Sequence, residues 1–173
     1  MGLLDLKKAL AKLKQDELIN LVGDLYKKNK AAREFFDFYV APNEKEIFDK
    51  YHDKVYQAFF PKRGFGNAKL KEGKQAISDF KKLVQSPDLV ADLMLFYVET
   101  GVDFTNQFGD IDEAFYSSLE TTYLASLTLM QKENLLEKFK YRTKSVVIDT
   151  NGIGWGFHDY LKSTYEDFYE DKK

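Results

Sequence analysis

The three prolines of this chain, Pro42, Pro61 and Pro87, all fall between runs of apolar residues spaced three and four apart, and no run alternates with period two for long enough to make a strand. Proline lacks a backbone donor and clashes with the preceding helical turn, so it marks where helices stop and start. The spacing predicts an all-α fold. Leu3, Leu6, Leu10 and Leu13 form one short apolar stripe, and Leu18, Leu21, Val22 and Leu25 form a second. A third helix covers Lys30–Tyr39. Asn43, with Glu46 three residues on, is placed as N-cap and capping box of a fourth, which runs to Pro61. A fifth covers Leu70–Gln85. Ser86-Pro87 then opens a long helix, with proline at the first helical position, that ends at Phe108 before Gly109. Asp110 is read as the cap of a helix to Lys132, and Glu133–Thr150 and Trp155–Tyr169 complete the set. We expect a compact bundle of eight or nine helices in one domain, 1–173, with sub-lobes 1–61 and 69–170. The short helices before Pro61 look like stacked helix-turn-helix pairs, although no fixed-period repeat is visible.

Composition narrows the function classes. The absence of cysteine excludes disulfides, thiolate metal sites and cysteine nucleophiles. The amino terminus turns charged within a few residues, the reverse of a secretory signal, and no stretch approaches the roughly 18 uncharged apolar residues of a spanning helix. We therefore expect a soluble, cytoplasmic protein with no membrane partner. The net charge of −2 is unevenly spread. Residues 1–86 hold 18 Lys/Arg against 12 Asp/Glu, and residues 87–173 hold 8 against 16. No basic residue lies between Lys82 and Lys132.

Several segments carry a resemblance: Asp92-Leu93-Met94-Leu95-Phe96-Tyr97-Val98-Glu99-Thr100-Gly101, Gly109-Asp110-Ile111-Asp112-Glu113, and Gly152-Ile153-Gly154-Trp155-Gly156-Phe157-His158-Asp159. With Leu18 to Asp37 and Phe60 to Gly64, they make nearly the whole chain similar to an uncharacterised family of small bacterial helical proteins, a domain of unknown function. The resemblance implies one helical domain and no activity or site.

Two surface features point to function. Asp88, Asp92, Glu99, Asp103 and Asn106 fall in a strip about 60° wide on an otherwise apolar helix. Such a strip either meets cations, from Lys71, Lys74, Lys81 or elsewhere, or joins the next helix in a carboxylate cluster. In the second case Glu99, Asp103, Glu113 and Glu120 converge at a hairpin seam and hold Mg²⁺ or Mn²⁺, with His158 as accessory acid or base, in a hydrolase of a phosphorylated small molecule. The other feature is the basic segment Lys62, Arg63, Lys69, Lys71, Lys74, Lys81 and Lys82, with Phe65 in its loop. Nucleic-acid binding there is disfavoured by the net acidity of the domain. Neither Gly64-Phe65-Gly66 nor Gly152 to Gly156 follows a strand, so no nucleotide cradle is expected.

His52 sits in a core stripe and reads as structural. The leading reading is a non-enzymatic helical scaffold without a cofactor, whose basic and acidic parts engage a protein partner or a second copy. Association of that kind weakens as salt rises. The expected core is Phe80, Leu93, Phe96, Tyr97, Phe104, Phe115, Leu119, Tyr123, Phe139 and Leu161. Trp155 and Phe157 are expected to pack on the hairpin and to bring His158 near the acidic strip.

Overall fold

The computed structural model describes residues 2–63 and 68–170, and among these it contains nine α-helices and no strand. The expected loop features Gly64-Phe65-Gly66 lie outside the described residues. Contacts gather into two compact units, 1–43 and 44–173. The division falls one helix earlier than the sub-lobe boundary expected between 61 and 69. The fourth helix lies with the second unit because it packs against the two helices that follow it.

The first unit holds α1 (Leu3–Leu10), α2 (Gln15–Lys28) and α3 (Lys30–Val40). Local chemistry sets their starts. The backbone N–H of Gly2 donates to the Asp5 carboxylate at 3.0 Å, and that of Lys14 donates to Glu17 at 2.7 Å. Asn29 Oδ1 accepts from the Ala32 N–H at 3.0 Å, which lets α3 begin two residues after α2 ends. α2 and α3 pack together. They are pinned by the Tyr26 hydroxyl donating to Asp37 at 2.7 Å and by Arg33 Nη2 donating to the Lys27 carbonyl at 3.1 Å. No described residue of this unit is buried.

The second unit holds α4 (Glu44–Phe59), α5 (Leu70–Leu83), α6 (Pro87–Phe108), α7 (Glu113–Lys132), α8 (Leu136–Asp149) and α9 (Phe157–Tyr169). α6 is its axis, in contact with α4, α5, α7 and α8. The α6–α7 turn uses Gly109 at φ 87°, a left-handed conformation that favours glycine. The cap of α7 is Asp112, whose carboxylate accepts from the Phe115 N–H at 2.7 Å. Asp110, the expected cap, instead accepts from the Tyr116 hydroxyl at 2.7 Å. α8 starts at Leu136 because Asn134 takes a left-handed turn at φ 59° just before it.

Close helix approach is set by two glycines. A Cβ on Gly73 would strike the Tyr97 ring, and one on Gly101 would strike Leu119. Around them Phe59, Phe104 and Phe115 interlock, with ring centroids 5.9–6.3 Å apart. All ten expected core residues are buried except Phe96, which is half-buried with the His52 ring stacked 3.4 Å from it.

The glycine-rich segment before α9 divides its two aromatic rings. Phe157 is fully buried against Tyr116 at 4.8 Å, as expected. Trp155 is 61% exposed, contrary to expectation. Its own φ is 61° and that of Gly156 is 70°, so the chain reverses there and turns the indole outward while delivering the next ring inward. No helix among the described residues is long and apolar enough to cross a membrane.

Candidate functional site

The acidic strip of α6 meets α8. Asp88 accepts from Lys138 Nζ at 2.6 Å, and Asp92 accepts from Arg142 Nη1 at 2.7 Å. Glu99 takes the same guanidinium in a two-point grip, from Nε at 2.9 Å and Nη2 at 2.8 Å. The planar fork of arginine suits this geometry. Glu99 and Asp92 hold the Arg142 proton more tightly than usual, against the opposing cost of burial. Both pairs join residues fifty positions apart, with spacing of four on each helix, so α6 and α8 run parallel. The partners are not the α5 lysines.

The four carboxylates expected to converge do not meet, and no group of three or more His, Asp or Glu side chains able to hold a metal is present among the described residues. Helical phase explains it. The α6 face against α7 is Tyr97, Gly101 and Thr105, which meet Ser118, Leu119 and Tyr116 respectively. Glu99 and Asp103 each lie two residues from Gly101, about 160° around the helix. They therefore face α8 while Glu113 and Glu120 stay on α7.

What remains are two pairs of like charges. Burial, then Asp149 and Glu99, raise the Asp103 pKa, and burial, then Glu113, raise that of Glu120. None of Asp103, Glu113, Glu120 and Asp149 has an ion-pair partner among the described residues. At the other end of the molecule's charge range, Lys82 pairs with Asp79 at 2.7 Å and Lys69 with Glu72 at 3.0 Å. Lys62 and Arg63 are exposed. Lys71, Lys74 and Lys81 line one side of α5 with no ion pair among the described residues, and partial burial lowers the pKa of Lys74 and Lys81. His52, stacked on Phe96, has its pKa lowered chiefly by burial.

His158 is not at the acidic strip. Its Nδ1 lies 3.0 Å from the hydroxyl of Thr150, which is fully buried. Thr150 Oγ1 is also 2.7 Å from the Val147 carbonyl, which only accepts, so the hydroxyl proton goes there and Nδ1 carries the proton donated to Thr150. His158 also lines a cavity of about 370 Å³ between α8 and α9. Lys144, Ile148, Lys162, Tyr165 and Glu166 share its lining.

The first unit carries another open feature. Ile19, Val22 and Tyr26 of α2 with Phe36 and Val40 of α3 line a groove of about 650 Å³. Leu21 and Leu25 are also exposed nearby on the same helix. Sequence reasoning missed Arg142 and Thr150 as partners. The matched spacing of four in Asp88/Asp92 and Lys138/Arg142 was a usable signal for the first. A buried threonine fixing a histidine tautomer leaves none.

A family model described as a family of unknown function, DUF6155, matches residues 1–169. The chain belongs to that family. No curated protein and no solved structure matches it. Membership agrees with the all-helical architecture expected from the resemblance, and it brings no activity to the sites described above.

Proposed function

We propose that this chain is a helical interaction protein whose N-terminal helices dock against the same helices of a second copy. One observation carries the reading: among the described residues, eleven of the eighteen exposed large apolar side chains fall within residues 1–43, a unit in which no described residue is buried. Two packed helices cannot enclose a core, whereas two such pairs can make a four-helix bundle. The helices that would meet hold both signs, Asp24 and Asp37 with Lys27, Lys28, Lys30 and Arg33. A two-fold mate can therefore match charge as well as apolar surface. The unpaired lysines of α5 and the unpaired carboxylates Asp103 and Asp149 add complementary patches to the same scaffold role.

The test is light scattering of the full chain and of a Val22→Lys, Leu25→Lys double variant. The native chain is expected at twice the 20.1 kDa of one chain and the variant at one. A native chain that stays monomeric at hundreds of micromolar sinks the second-copy reading.

A further inference from the structure

We propose that the cavity between α8 and α9 binds a free α-amino acid with an apolar side chain. The cavity is about 370 Å³, within the range of small-molecule sites. Its chemistry matches each part of such a ligand. Lys144 has no ion pair among the described residues and offers a cation for a carboxylate. The Thr150 contact commits the His158 Nδ1 proton, so in the neutral ring Nε2 is the lone-pair nitrogen of a histidine that lines the cavity, able to accept from an ammonium.

Glu166 is held only loosely by Lys162, at 4.0 Å, and has acceptor capacity for the same ammonium. Ile148, 60% exposed, and the Tyr165 ring provide apolar surface for the side chain. An organic acid without an amine leaves the histidine lone pair and Glu166 unanswered, and an amine without a carboxylate leaves Lys144 unanswered. The ligand that satisfies all of them is a zwitterion.

The experiment is a titration of the full chain, ¹³C-labelled at isoleucine methyls and ¹⁵N-labelled at histidine, with L-leucine. 4-Methylpentanoate and 3-methylbutylamine serve as the analogues lacking one charge each. Saturable shifts are expected at the Ile148 methyl and the His158 ring. Each analogue is expected to bind at least about tenfold more weakly, the usual worth of a charge-assisted hydrogen bond. Lys144→Met should weaken leucine and 4-methylpentanoate by about tenfold and leave 3-methylbutylamine unchanged, with the Ile77 methyl of the core unmoved as the control for folding. Absence of a saturable shift up to the solubility of leucine overturns the proposal, as does an analogue that binds as tightly as leucine.

Discussion

Arg142 is the side chain on which the α6–α8 contact turns, because it alone serves both Asp92 and Glu99. Arg142→Met keeps the stem and removes the fork, leaving two carboxylates beside each other without a cation. The expected cost is about 1–2 kcal/mol, held down by the partial exposure of the pair. Urea unfolding at low and high salt checks it, with the larger loss at low salt.

Asp103 shows the opposite economy. A carboxylate whose folded pKa is raised binds its proton more tightly in the folded state, so folding stability falls as pH rises from the ordinary carboxylate range through the raised value. The penalty is fully present above that window and relieved below it. Asp103→Asn should therefore raise stability at pH 7 by a few tenths of a kcal/mol, after discounting for solvent screening, and give no gain in acid. Trp155 is mostly exposed. Trp155→Ala should shift stability by about 0.5 kcal/mol or less, and iodide should quench its fluorescence freely in the folded protein.

Among the elements, α6 and α7 depend on a contact rather than on propensity. Gly101 is mid-helix, where alanine would ordinarily gain about 1 kcal/mol, yet its missing side chain is filled by Leu119. Gly101→Ala should nonetheless destabilise by about 1–3 kcal/mol through overpacking, and Gly101→Ala with Leu119→Ala should recover part of the loss. Thermal unfolding of the two variants decides it. The same seam carries the Tyr97–Ser118 and Thr105–Tyr116 hydrogen bonds, which satisfy hydroxyls that burial would otherwise penalise. Burial pushes the Tyr97 phenol up to about 12, so it stays protonated through neutral pH.

For the molecule as a whole, the two units differ in what holds them. Residues 44–170 have a dense aromatic core, whereas α1–α3 have helix caps and one interhelical hydroxyl contact but no buried side chain. Amide exchange in the dilute protein should be fast throughout 1–43 and slow in α6 and α7, and the first unit should gain protection as the chain associates. Because the surface to be covered is apolar, the associated mass should persist from low to high salt. Dissociation at 0.5 M NaCl would return the weight to the charge asymmetry of the two halves.

The helical class and most helix bounds were legible in the chain because both follow from local chemistry: apolar spacing, proline at the start of α6, glycine after its end. The ten-residue core was readable for the same reason. A stripe that repeats every three or four residues has one side to bury, and only Phe96, capped by His52, stayed at the margin. What lay across from each stripe was not readable. Which face of α6 meets α7 depends on Gly101 accepting Leu119, and that choice rotated Glu99 away from Glu113 and Glu120 and toward Arg142. Trp155 and Phe157 are two residues apart in similar sequence surroundings, yet a pair of left-handed residues sends one outward and one inward. Periodicity names the sides of a helix, whereas partners are chosen by how helices of unequal side-chain size fit together, and that fit involves residues forty or fifty positions away.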